Sequence, residues 1–320
     1  MTVVRSHPRP ARAVRSVALA AGLAGVLVLS ACGGGSSSGS GATTTAAPSS
    51  AASSSGASSS GASSSGSSAP GTGSTTASQS DIDAAKAALI ASGTLTTCTH
   101  LPYAPFQSND DDGNTVGFDV DMIDLVAKEL GVKQAIVDTP FEGIKSGQDL
   151  SSGKCDIAAA GMTITPDREK VILFSEPYFD ATQALLVRSD ESVTSLADLK
   201  GKKLGAQSST TGLDYANAQA AANGYEIVEY QDLASEQQAL VTNQIDGAIN
   251  DLPVWSEFVK EQPDKTKIVA QFDTGEQYGF GMKLGNTALK SVADAAINKA
   301  KADGTYDQLY TKWIGQAPTS

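Results

Sequence analysis

Arg168 is the first residue whose position invites a chemical reading. It lies in GMTITPDREKV (161–171), where Thr165 is a good helix N-cap, Pro166 suits the first helical position and Asp167 suits the positive end of the helix dipole. A cation in that same turn is disfavoured by about a few tenths of a kcal/mol, and local rules are most often broken where a site needs them broken. One reading is a solvated surface arginine. The other is a planar fork of donors matched to a carboxylate. Asp251, at the end of DGAIND (246–251), offers the opposite charge as a lone carboxylate suited to an ammonium group, or else forms a turn before Pro253. Together the two residues make a trap for a zwitterion.

The neighbouring residue types extend this reading. Ala160 and Gly161 are small enough to let a ligand reach backbone groups, and Thr163 adds a hydroxyl. QSSTTGLDY (207–215) is a hydroxyl-rich turn at a helix start. There Thr210 either helps to hold an anion or, with Ser209 and Thr211, simply caps the helix. The stretch lacks the glycine–lysine spacing of a phosphate loop, so no nucleotide is expected. Tyr103, Phe106 and Phe141 are either walls of a binding site or ordinary core aromatics. With no paired carboxylates and no nucleophile–base set, the sequence assigns no catalytic residue, no cofactor and no metal ligand.

Strand-like runs alternating with helical ones must position these residues. TLTTCTHL (94–101) precedes FDVDMIDLVAKELG (118–131), whose Phe118, Met122, Ile123, Val126 and Leu130 form an apolar stripe closed by Gly131. KQAIVDT (133–139), a helix around 142–152 and CDIAAAGM (155–162) complete a βαβαβ rhythm, which implies a parallel sheet with helices on both faces. A second set runs through KKLGAQ (202–207), a helix over 212–222, YEIVEYQD (225–232), a helix over 233–243 and DGAINDL (246–252). SGKCDIAAAG (152–161) and TNQIDGAIND (242–251) echo each other: each leaves a helix, passes one Asp and enters a strand of small residues. Two equivalent α/β lobes are expected, 81–182 with 278–320 and 183–277. ATQALLVR (181–188) and QYGFGMK (277–283) are read as isolated strands crossing between them, and helices over 287–302 and 304–313 return to the first lobe. Ligands of open α/β sheets bind beyond the carboxyl ends of the strands. That rule gathers His100 to Phe106, Gly161 to Arg168, Ser208 to Gly212 and Asn250 to Asp251 into one cleft between the lobes.

The remainder of the chain speaks to location. Arg5, Arg9, Arg12 and Arg15 precede SVALAAGLAGVLVLSAC (16–32), a basic region and an apolar core that is short for a membrane span. LSAC resembles a bacterial lipobox, with residues 1–31 removed and Cys32 lipidated; an ordinary secretory signal or a short anchor helix is the alternative. Gly33–Ser80 contains no charged residue and only Ser, Gly, Ala, Thr, Pro and Gln79. Such a stretch reads as a disordered tether spanning roughly 35–42 Å root-mean-square. Without the four leader arginines, 19 basic residues stand against 35 acidic ones, a net charge of about −16, which argues against nucleic acid as a partner. With Cys32 assigned to lipid, Cys98 and Cys155 remain as an even pair in an oxidising compartment, read as a disulfide or as two buried thiols.

YAPF followed by VGFDVDMIDLVAKELG, then GMTITPDREK, FSEPYF and the closing GTYDQLYTKWIG, resemble the bacterial extracellular solute-binding proteins of family 3, the polar amino-acid receptors of ABC importers. The resemblance covers 81–320 and implies a periplasmic-binding-protein type II fold: two α/β lobes joined by two hinge strands. It implies a monomer that captures a free amino acid and delivers it to a membrane permease. It further implies that Arg168 grips the ligand α-carboxylate with Thr163 and Thr210, and that Asp251 and the Gly161 carbonyl take the α-amino group. Tyr103 and Phe141 would sandwich the side chain. His100 stands where many members carry an aspartate that contacts a cationic side chain, which argues against lysine or arginine. Gln207 and Asn250 are neutral amides at expected side-chain readers, so a polar neutral or acidic ligand is expected. A sensor lipoprotein signalling to a membrane partner, and a dehydratase-like enzyme on the same fold, are the alternatives.

Overall fold

A computed structural model describes residues 74–315; the leader, Cys32 and the tether up to residue 73 lie outside the described residues. The first helix, α1 (Gln79–Ala88), begins two residues inside the stretch read as tether, because the Ser78 hydroxyl caps it by accepting from Asp81 N–H. Strand β1 (Thr94–Thr99) follows. A small hairpin of β2 (Ser108–Asn109) and β3 (Thr115–Val116) then leads into α2 (Phe118–Leu130). The apolar stripe of α2 is buried as its spacing predicts, and Gly131 ends the helix at φ 65° with its N–H on the Ala127 and Lys128 carbonyls.

Strand β4 (Lys133–Asp138) pairs in parallel with β1, and β1 in turn with β5 (Ile157–Ala158). The helix expected over 142–152 is two: α3 (Phe141–Lys145) and α4 (Gln148–Ser151). They break at Gly147, where φ is 71° and a Cβ would lie 2.7 Å from the Val171 carbonyl oxygen, a place only glycine fits. After β5 come α5 (Pro166–Glu169), β6 (Ile172–Phe174) and the long β7 (Phe179–Arg188).

The second set is β8 (Lys203–Gln207), α6 (Thr211–Asn223), β9 (Glu226–Tyr230), α7 (Leu233–Val241) and β10 (Gly247–Asp251). Helix α8 (Leu252–Glu261), strand β11 (Thr266–Tyr278) and β12 (Gly281–Lys283) follow. Helices α9 (Thr287–Asp303) and α10 (Thr305–Trp313) then return to the first lobe, where Lys312 Nζ and Trp313 Nε1 both donate to Asp121 on α2.

The two five-stranded sheets run β4-β1-β5-β12-β6 and β11-β7-β10-β8-β9. Neither is purely parallel, as the βαβ rhythm suggested. β12 lies antiparallel between β5 and β6, and β7 pairs antiparallel with both β10 and β11. The reversal follows from the crossings, which enter each sheet from the opposite end to the βαβ strands. Nor are the crossings isolated. β11 begins eleven residues before the expected crossing and pairs with β7 from Thr266↔Arg188 to Tyr278↔Phe179. A bulge between Phe272 and Glu276 interrupts this ladder.

Cys98 and Cys155 are joined as a disulfide, with Cα atoms 5.6 Å apart. They sit in one buried cluster with Phe141, Ala160 and Met162, so the crosslink lies directly behind one wall of the cleft.

Candidate functional site

Strand ends and helix starts from both lobes line a small cavity of about 20 Å³, bordered by His100, Tyr103, Phe141, Gly161, Thr163, Arg168, Gln207, Thr210 and Asp251. All of these were expected at the site, whereas Asn250 and Phe106, also expected there, are not on that wall. Asn250 lies behind it, 2.8 Å from the Tyr103 hydroxyl, with its amide reaching Glu236. Phe106 is core, not wall: it is fully buried among Phe118, Phe179 and Tyr278.

Arg168 is 6% exposed. Thr165 caps α5 by accepting from the Arg168 N–H at 3.2 Å, and this aims the side chain inward. Its Nη1 donates to the Thr163 carbonyl at 2.7 Å, and its Nη2 to the Ser209 carbonyl of the other lobe at 3.2 Å. The guanidinium carbon stands 5.4 Å from the Phe141 ring centroid, near enough for a cation–π contribution. Burial lowers the arginine's pKa, opposed by Asp251 and Glu276.

Asp251 is not a lone carboxylate. The Tyr103 hydroxyl lies 2.6 Å from its Oδ2, the Tyr278 hydroxyl also donates there, and Gln183 Nε2 donates to Oδ1. Glu276 adds a second negative charge. Burial and then Glu276 push Asp251 up from the ordinary 3.8 to about 6, against the three hydrogen bonds that favour ionisation.

Gly161 takes φ 54°, and a Cβ there would stand 2.8 Å from the Tyr103 ring. Its N–H donates at 2.8 Å to buried Asp119, whose other oxygen accepts from the Tyr178 hydroxyl at 2.6 Å. Burial raises Asp119 to about 7. On the other lobe Thr210 behaves as an N-cap: its hydroxyl donates to the Gln207 carbonyl at 2.7 Å and accepts from Leu213 N–H at 3.1 Å. The positive end of α6 nevertheless faces the cavity, an anion-favouring feature.

His100 Nδ1 lies 3.0 Å from the Thr139 carbonyl, while its Nε2 is buried without a partner. Gln107 and Gln207 also present buried carbonyl oxygens that no group among the described residues satisfies. Thr211, gathered into the cleft with the hydroxyl-rich turn, is on the wall, whereas sequence reading missed Gln107, Gln183, Glu276, Tyr278 and Asp119. Gln183, Glu276 and Tyr278 lie on the crossing strands, where nothing in spacing marks a cleft.

These features define a two-lobed α/β protein with a cavity lined by residues of both lobes. The family model of the bacterial extracellular solute-binding proteins, family 3, matches residues 95–316, and the chain belongs to that family. The chain is 34% identical over 230 residues to the putative ABC transporter arginine-binding protein 2 of Escherichia coli (strain K12), covering 70% of this chain and 92% of that protein. Among solved structures, an ancestral arginine-binding protein bound to arginine superposes with a TM-score of 0.66 at 39% identity, over 70% of this chain and 99% of that one. An ancestral amino acid-binding protein described as a precursor of cyclohexadienyl dehydratase gives a TM-score of 0.65 at 36% identity, over 69% of this chain and 96% of that one.

Proposed function

We propose that the chain is the receptor of an ABC importer: it captures a free amino acid outside the cytoplasm, closes its lobes on it and delivers it to a membrane permease. Lipid on Cys32 holds it to the outer face of the cell membrane, which the mass of the mature N-terminal peptide reports. The lobes divide as 81–182 with 278–320 and 183–277. The observation that carries the reading is the burial of opposite charges, Arg168 and Asp251, on one cavity wall.

Arg168 takes the α-carboxylate, assisted by the α6 start at Thr210; the Thr163 hydroxyl, whose proton is held by Glu276, stands beside it as an acceptor. Asp251 and the Gly161 carbonyl take the α-ammonium, and Tyr103 and Phe141 flank the side chain. His100, Gln207 and Asn250 tune selectivity, the last through Tyr103. An acidic side chain is disfavoured, because Asp251 and Glu276 already supply two negative charges and the free oxygens of Gln107 and Gln207 require donors. A polar neutral or cationic side chain supplies them, in keeping with the arginine named for the relatives. The role is binding rather than catalysis, and a product-forming assay on bound ligands tests that.

A thermal-shift screen of the twenty amino acids identifies the ligand, and its one-charge analogues test the clamp. The amino acid bridges both lobes, whereas its decarboxylated amine and its deaminated acid each leave one buried charge unmatched. Small-angle scattering is expected to show compaction with the amino acid alone. Equal compaction with either analogue would sink the zwitterion clamp.

Affinity is also expected to fall as pH drops below about 6. Between about 4 and 6 the folded protein holds a proton on Asp251 that the unfolded chain has released, so that proton stabilises the fold as pH falls. Binding an ammonium requires the carboxylate and must expel the proton, with a limiting slope of about tenfold per pH unit. Calorimetry at pH 5 in buffers of different ionisation enthalpy should detect the released proton. Identical slopes for wild type and Asp251→Asn would show that another group is responsible.

A further inference from the structure

Glu276 stands at the bulge in β11, where the second crossing leaves the second lobe. Its Oε2 accepts from the Thr163 hydroxyl at 2.8 Å and from the Thr211 hydroxyl at 2.7 Å. Thr163 belongs to the first lobe and Thr211 opens α6 of the second. Their hydroxyl oxygens approach to 3.4 Å. Oε1 accepts from Gln183 Nε2 on the first crossing strand at 3.1 Å and from the Thr274 hydroxyl on its own strand at 2.9 Å. A carboxylate has about four lone-pair positions, and here donors from both lobes and both crossings fill them.

We propose that Glu276 is a positioning residue that sets the closed geometry of the cleft by gathering one hydroxyl from each lobe onto a single carboxylate oxygen. Opening the lobes separates Thr163 from Thr211, so Glu276 can keep only one of them. The residue therefore favours closure by an interaction that exists only when both lobes meet, the differential contact a conformational bias requires. It also fixes the polarity of the wall. Each threonine hydroxyl has one proton, and both protons are committed to Glu276. Toward the cavity these hydroxyls present only lone pairs, which suit an ammonium or amide donor better than a carboxylate.

The test measures lobe separation directly and so does not depend on knowing the ligand. Spin labels on cysteines introduced at Gln148 and Asn217, exposed positions on α4 and α6, report the distance in the full chain carrying Cys32→Ser. Glu276→Gln is expected to shift the distribution toward longer, broader separations. Thr211→Val, which leaves the crossing strand untouched, should shift it the same way by less. A second arm rests on the receptor reading: with the amino acid found by screening, Glu276→Gln should raise the dissociation rate about tenfold and leave the association rate nearly unchanged. A merely structural defect would lower melting temperature without that split. Unchanged distances in both variants overturn the proposal whatever the rates do. A wild type that binds no amino acid would instead refute the receptor reading, and the label distances would still decide the role of Glu276.

Discussion

Arg168→Ala is expected to weaken amino-acid binding by tens to thousands of fold while the protein remains folded. The side chain is 6% exposed and joins the two lobes through the Thr163 and Ser209 carbonyls. In the proposed binding mode it is the cation that meets the ligand carboxylate. Losing a desolvated, charge-assisted pair costs about 2–5 kcal/mol, much of it from leaving the partner charge unmatched. The fold should survive, because the helix cap uses the Arg168 backbone N–H, which alanine keeps. Arg168→Lys should recover only part of the affinity, since an ammonium cannot reproduce the fork that reaches two carbonyls and a carboxylate together. Calorimetric titration decides it, with near-normal affinity in folded Arg168→Ala as the contrary result.

Removing the Cys98–Cys155 crosslink is the other change with a large expected effect, this time on stability. The cysteines are 57 residues apart in sequence, and closing a loop of that length is worth about 4 kcal/mol in the chain-entropy model. The loop contains α2, β4, α3 and α4, helices from both faces of the first sheet. Denaturant unfolding of Cys98→Ser combined with Cys155→Ser should show an unfolding free energy lower by about that amount and a correspondingly lower midpoint. Peptide mapping of the unfolded, non-reduced chain should find neither thiol free. Two free thiols would remove the crosslink, and an unchanged midpoint would remove its energetic role.

Much of the fold was legible because the signals were local. The α2 stripe, its Gly131 stop and the Ser209–Thr211 turn all act within a few residues. The echo of SGKCD and TNQID has a physical basis in the structure. Asp156 accepts from the Thr96 N–H and Asp246 from the Lys203 N–H, each at 2.8 Å, so each carboxylate ties its loop to the neighbouring parallel strand. Arg168 could be read because a cation at a helix start contradicts a local preference, and Asp251 because it ends a strand. Neither signal reveals what surrounds a residue. The environment of Asp251 is built by Tyr278, Gln183 and Glu276, all on crossing strands, which come together only through the β7–β11 ladder. That ladder was itself read short, because alternating burial along KIVAQFDTGEQY is partial rather than complete. The break between α3 and α4 escaped for a related reason: Gly147 looks like an ordinary helix glycine until the Val171 carbonyl approaches it.

The strand order has a consequence for how the protein is made. Every strand of the second sheet lies between Phe179 and Tyr278, whereas β6 joins the first sheet only through β12, which begins at Gly281. The burial of α2 likewise waits for α9 and α10, at the far end of the chain. During synthesis or threading through an export channel, N-terminus first, the second lobe has all its strands before the first lobe can close its sheet. The lobe that carries Arg168 is thus the last to form, and a chain halted before residue 281 would hold Asp251 in a finished sheet with no arginine site to face it.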